Sequence, residues 1–226
     1  LPLSVGFLLM GPLSGFLSDR WGARWFTVGG LSLTVLGFLG LMILPLDFAY
    51  WQFAVLLVVL GVGLGMFGAP NTASIMNASP PDMRGVASGM RATFQNTAMT
   101  LSITLIFTLV TIGLAGGLPV RLYQGLTSAG VPTAVAIPIA HLPPTGALFA
   151  AFLGYNPLAT LLPPSVLAGL APAAKAHLLS QAYFPTLIAA PFKSGVAIAF
   201  AFCAIVSLIA AIASSFRSSR VPKKRP

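Results

Sequence analysis

Long apolar runs separated by short polar turns organise this chain. They extend from Leu1 to Leu17, Trp25 to Leu44, Trp51 to about Asn77, Val86 to about Gly113, and Leu187 to Ala213. A helix crosses a bilayer with about 20 consecutive apolar residues, so the pattern predicts an all-α integral membrane fold with five transmembrane helices. The second run stops at Pro45 and Asp47. The third opens on Tyr50 and Trp51, an aromatic pair suited to a membrane interface. The first run starts abruptly at Leu1, with neither an initiator Met nor a basic region of signal-peptide type. It reads as a truncated span, and the chain as a fragment.

Composition agrees with this solvent. Of 226 residues 57% are hydrophobic and 7% charged, and the mean hydropathy is +0.93, whereas a soluble domain carries about 25% charged residues. The basic residues orient the spans. Arg20 and Arg24, Arg84 and Arg91, and the five Lys and Arg of the tail fall on one side of a five-span arrangement, leaving Arg121, Lys175 and Lys193 on or near the other. The positive-inside bias makes the first side cytoplasmic. The predicted organisation is four spans in residues 1–113 with a cytoplasmic loop at 18–24, and an outside loop rich in Pro, Gly and Ala at 114–186. The last span at 187–213 and a basic cytoplasmic tail at 214–226 complete it. The net charge of +9 is then a topology signal that meets anionic lipid, and nucleic acid is not an expected partner.

Charge gathers in "GFLSDRWGAR", Gly15 to Arg24. Gly22 permits a tight turn with positive φ. Asp19 is suited to capping a helix N-terminus or pairing with an arginine, while Arg20 and Arg24 reach carbonyls at helix C-termini. Any short inside loop favours basic residues, but a topology anchor needs no acid, so Asp19 points to a latch between helix ends. The spacing of Gly15, Leu17, Ser18, Asp19, Arg20, Gly22 and Arg24 closely resembles the G-x-L-[SA]-D-[RK]-x-G-x-[RK] loop of major facilitator superfamily transporters.

A second stretch, "APNTASIMNASPPDMRGVASGMRATFQNT" from Ala69 to Thr97, is similar to a segment joining two late spans in the fourteen-helix drug:proton antiporters of that superfamily. Locally, Ser79 is expected as an N-cap, with Pro80 in the first helical position and Asp82 completing an S-x-x-D cap. Gly85 and Gly89 leave a flat face for another helix. The departure "TAMTL" at Thr97 to Leu101, where the family favours glycine, alters the expected packing. The resemblance implies the C-terminal part of a two-bundle transporter with a central cavity.

Polar side chains concentrate in the third and fourth spans. Asn96, Thr100 and Thr104 are spaced by four and share one helical stripe. An amide at membrane depth is costly unless it meets water, ligand or a partner, which makes Asn71, Gln95, Asn96 and Thr100 the candidate cavity-lining residues. The competing role is hydrogen bonding between helices. Arg91 lies near enough to the inside surface to snorkel. Gly61, Gly63, Gly65 and Gly68, followed by Pro70, suit close packing more than a hinge.

Apolar patches in 114–186 are each too short to cross, and predict short amphipathic helices at the membrane surface, with a re-entrant hairpin as the alternative. His141 and His177 lie far apart with no neighbouring acid, so neither a metal site nor a catalytic dyad is expected. Cys203 is alone in the last span. No cofactor motif and no phosphate-cradling loop occur.

The family resemblance implies proton-coupled export of small amphipathic molecules from the plasma or inner membrane by alternating access. Its partners would be lipid, substrate, protons and a missing N-terminal helical bundle. A membrane enzyme would need an intramembrane nucleophile or acid/base pair, which the sequence lacks. A structural or assembly subunit would explain the scarcity of carboxylates at membrane depth, but not the acid in the latch motif.

Overall fold

The computed structural model describes residues 1–216, which are helical apart from short turns. The main helices are α1 (Pro2–Trp21), α2 (Ala23–Ile43), α3 (Tyr50–Ala78) and α4 (Arg84–Ser128). Five short ones follow: α5 (Thr133–Ala140), α6 (Pro144–Phe152), α7 (Leu158–Leu161), α8 (Pro164–Gly169) and α9 (Pro172–Leu179). The last is α10 (Tyr183–Ser215). Among the described residues, α2, α3, α10 and α4 with its preceding turn are long and apolar enough to cross a membrane.

The fifth such element differs from the expected one. Helix α1 has 20 residues, but its last turn consists of Ser18, Asp19, Arg20 and Trp21, which shortens its apolar length. The pair α5 and α6, bent by 88°, has the length and composition instead. Residues 214–216 are described, but the rest of the expected tail, 217–226, lies outside the described residues.

The chain forms two compact units. The first is Leu1–Ile103 with the described residues from Phe200 to Phe216, and the second is Thr104–Ala199. In the first unit α3 packs between small-residue faces of α1 and α2. A Cβ on Gly61 would strike the Leu3 carbonyl oxygen, and one on Gly65 would meet Phe7 O and Gly11 N at 3.0 Å. On the α2 side, a Cβ on Gly63 would lie 2.6 Å from Thr34 Oγ1 and 2.7 Å from Gly30 O. Glycine therefore allows backbone to meet backbone, the usual device for joining helices where lipid removes the hydrophobic driving force. Gly68 has open space around it.

The turn between α3 and α4 departs from the sequence expectation. Ser79 closes α3 instead of opening α4: its N–H donates to Met76 O at 3.3 Å and its hydroxyl to Ile75 O at 2.9 Å. Pro81 disfavours a helical conformation at the residue before it, and Pro80 is extended with φ −54° and ψ 146°. A 3-10 turn over Pro81–Met83 then leads into α4.

Helix α4 continues past the expected end at Gly113 as far as Ser128. Its 45 residues measure about 68 Å at 1.5 Å per residue, well beyond a hydrocarbon core of about 30 Å. Leu114, Leu118, Leu122 and Leu126, spaced by four, are fully buried in the second unit. They pack with Leu148, Leu158, Leu178, Phe184 and other residues of the short helices. Residues 114–186, expected as an outside loop with short helices, contain five short helices and, beyond that expectation, the end of one long helix and the start of α10. Asn156 holds the chain here: its amide donates to Leu178 O at 2.9 Å and Ser180 O at 2.8 Å, and its oxygen accepts from Leu158 N–H at 3.1 Å. Tyr183 adds a buried 2.7 Å bond to Gly125 O.

Candidate functional site

Two places in the first unit concentrate polar chemistry. One is the junction of α1 and α2. Its expected loop at 18–24 is a single residue, Gly22, because α1 runs through Trp21 and α2 begins at Ala23. Gly22 has φ 87° and ψ 140°, a conformation essentially restricted to glycine, and its N–H donates to Ser18 O at 2.9 Å. Asp19 and Arg20 consequently sit in the last turn of α1, and Arg24 in the first turn of α2. All three are exposed. Arg20 places its guanidinium carbon 4.9 Å from the centre of the Phe16 ring, a cation–π distance. Asp19 forms no ion pair among the described residues. Gly15, the remaining residue of the motif, faces α3, where an added Cβ would lie 3.5 Å from the Ala69 Cβ. Trp21 stacks on Phe26 with ring centres 6.4 Å apart, and Trp21 and Trp25 are both largely exposed, as aromatics at a membrane interface are.

Beneath this charged end lies a buried hydroxyl set that sequence reasoning missed. Ser14, Ser18, Thr27 and Ser214 are all buried. The Ser14 hydroxyl is shared between Gly11 O and Gly65 O, each at 3.0 Å, so it bonds α1 to α3. Ser18 donates to Gly15 O at 2.8 Å. Thr27 donates back to Ala23 O and Arg24 O, each at 3.0 Å, and accepts from Ser214 at 2.8 Å. The four-residue spacing of Ser14 and Ser18 placed them on one helix face, but nothing local announced the partner of Thr27.

The other place is the first half of α4. From Arg84 to Leu105 nearly every residue is exposed within this chain, including large apolar ones such as Phe94 and Met99. Arg91, expected to snorkel, is half-buried. Threonines on this helix satisfy themselves locally: Thr93 donates to Gly89 O at 3.0 Å and Thr100 to Asn96 O at 3.1 Å. Such back-bonding removes most of the cost of a hydroxyl at membrane depth. Gln95 and Asn96 differ, for their side-chain amides are exposed and make no hydrogen bond among the described residues. Asn71, half-buried on α3 just after Pro70, is engaged within the protein. Among the described residues no group of three or more His, Cys, Asp or Glu side chains could hold a metal ion.

Residues 1–103 match the Major Facilitator Superfamily. Over these residues, just under half of the chain, the protein is similar to that superfamily. The match ends at Ile103, the same residue that closes the N-terminal stretch of the first unit, so it covers the glycine-packed bundle of α1, α2 and α3 and the exposed first part of α4. Similar proteins are transporters and resistance proteins. The riboflavin transporter RibZ of Clostridioides difficile is 33% identical over 94 residues, which is 42% of this chain and 21% of the relative. The methyl viologen resistance protein SmvA of Salmonella typhimurium is 28% identical over 151 residues, 64% of this chain and 30% of the relative. The tetracenomycin C resistance and export protein of Streptomyces glaucescens is 25% identical over 225 residues, 100% of this chain and 38% of the relative. The chain thus spans well under half the length of these relatives. No solved structure matches it. The superfamily match over residues 1–103 and the long apolar helices point to a multi-pass membrane protein.

Proposed function

We propose that these residues form the C-terminal part of a proton-coupled exporter of small amphipathic molecules in the plasma or inner membrane, with the C-terminus cytoplasmic. The observation that carries the reading is the pair of exposed amides Gln95 and Asn96, without a hydrogen-bond partner among the described residues, on a helix of membrane-spanning composition. Lipid does not satisfy such groups, whereas a hydrated cavity or a bound substrate does. The names of the relatives, which include resistance and export, agree in class. An opposing helical bundle, not contained in these 226 residues, closes the cavity's other side and provides the surface against which alternating access rocks. Lipid, substrate and protons are the remaining partners.

The positions of the carboxylates support placing the coupling residue in that opposing bundle. The chain has three, Asp19, Asp47 and Asp82. All are exposed, and they lie in the last turn of α1, between α2 and α3, and in the 3-10 turn before α4. A carrier that exchanges substrate for protons needs a titrating group at membrane depth. The latch residues Asp19, Arg20 and Arg24 instead sit at a helix junction suited to holding one face closed.

The test is transport by the full transporter that includes these residues and the opposing bundle, in inside-out membrane vesicles energised to acidify their interior, with ethidium as the fluorescent probe. Uptake that collapses on adding an uncoupler, and that falls several-fold in Asn96→Leu and Gln95→Leu but not in Phe94→Leu, is the expected result. Unchanged uptake in both amide variants would overturn the cavity assignment. Uptake indifferent to the uncoupler would overturn proton coupling.

A further inference from the structure

The second unit carries a property that transport does not explain: from Leu122 to Ala174 there is no Asp, Glu, Lys or Arg. A water-facing helical unit of that length would be expected to carry charge at about one residue in four, and this one also exposes large apolar side chains. Phe152 is 70% exposed and Leu153 81%. Both lie at the C-terminal end of α6, the second arm of the pair bent by 88°.

Aromatic contacts fix where that end lies. Phe149 meets Phe107 of α4 with ring centres 6.4 Å apart, and Phe152 meets Phe192 of α10 edge-on at 6.2 Å. Phe192 adjoins Lys193, and the uncharged part of α10 beyond it, residues 194–215, measures about 33 Å. That matches a hydrocarbon core of about 30 Å and puts Lys193 at one membrane surface, with Phe192 beside it. The α6 end is therefore continuous with the apolar surface of two spanning helices. Its 9 residues reach only about 14 Å, too short to cross.

The backbone at this end is prepared for an apolar medium. Gly154, with φ 66°, donates to Ala151 O at 3.1 Å, and Tyr155 N–H donates to Ala150 O at 2.9 Å. This Schellman arrangement satisfies carbonyls that a helix end otherwise leaves open, and groups left open in lipid are costly. We infer that the α6 end, with Phe149, Phe152, Leu153 and Tyr155, inserts into the lipid leaflet at the Lys193 end of α10 and anchors the second unit to the membrane surface.

Spin labelling tests this. The protein carrying Leu153→Cys and Cys203→Ser, labelled with a nitroxide and reconstituted in phosphatidylcholine–phosphatidylglycerol vesicles, is probed with oxygen, which partitions into lipid, and with a neutral nickel chelate, which stays in water. Because Leu153 is so exposed within the chain, its replacement removes little packing. Oxygen collisions should exceed nickel collisions several-fold at position 153, and the order should reverse for Lys175→Cys in the same background. Nickel-dominated collisions at 153 would show a water-facing end and overturn the inference. Protection from both reagents would show a protein partner in place of lipid and overturn it equally.

Discussion

The Ser214 hydroxyl donates a 2.8 Å hydrogen bond to Thr27 Oγ1 in the interior of the first unit, joining α10 to the second turn of α2 across a separation of 187 residues. Thr27 also donates to its own helix, so the two ends of this bond are unequal. Ser214→Ala removes the donor and leaves Thr27 still bonded to backbone, a loss of about 1 kcal/mol. Thr27→Val strands a buried serine hydroxyl and should cost up to about 3 kcal/mol. Thermal unfolding of the purified protein in detergent should rank Thr27→Val below Ser214→Ala. The reverse order would mean that Ser214 finds another acceptor.

Glycine packing on α3 makes a contrast within one helix. Gly61→Ala drives a methyl group into the Leu3 backbone, and overpacking of this kind costs about 1–3 kcal/mol. Gly68→Ala enters open space, where alanine's advantage in a helix, about 0.5–1 kcal/mol, should make it neutral or stabilising. Equal unfolding midpoints for the two variants would contradict the close approach of α1 and α3.

Gly22 should resist every replacement. At φ 87° and ψ 140° it lies outside the left-handed helical region that asparagine tolerates, so Gly22→Asn should be no better than Gly22→Ala. Each should lose about 1–3 kcal/mol. Rescue by asparagine would show that the junction relaxes into an ordinary left-handed turn.

Asp19 should separate stability from activity. An acid in the last turn of α1 faces the negative end of the helix dipole, and it gains no ion pair among the described residues in return. Asp19→Asn should therefore leave the unfolding midpoint unchanged or slightly raised while reducing transport, normalised to the amount in the membrane, more than Arg20→Lys does. Arg20→Lys keeps the charge. If Asp19→Asn exports at the unaltered rate, the acid is a solvated surface residue and the latch assignment fails.

Much of the spanning architecture was legible because its signal is length and hydropathy, which survive without knowledge of partners. Runs starting near Trp25, Trp51 and Val86 correspond to α2, α3 and α4. The end of α4 was not legible. Gly116, Gly117 and Pro119 look like breakers, yet α4 passes through all three. Gly117 receives the Pro191 ring, with an added Cβ 3.3 Å from it, and Gly113 lies against the Gly195 backbone. Close approach to α10 thus explains two glycines that local propensity would assign to a turn. The leucines at 114, 118, 122 and 126 carried a helical period in plain view, and tertiary burial settles the competition in their favour. In the candidate site, Gln95 and Asn96 stood out because amides are rare at membrane depth. The Thr27 and Ser214 pair was hidden because serine and threonine are ordinary in such helices, and only the fold makes them neighbours.

Access to α4 tests the central claim, that its amide-bearing face lines a substrate path. Asn96→Cys and, separately, Phe94→Cys are introduced with Cys203→Ser into the protein in membranes that transport ethidium, and each is treated with a membrane-impermeant maleimide with and without saturating ethidium. The account predicts that position 96 reacts and is protected by ethidium, while position 94 stays unreactive. A position 96 as unreactive as 94 in a protein that transports, or one that reacts at the same rate with saturating ethidium present, would contradict it.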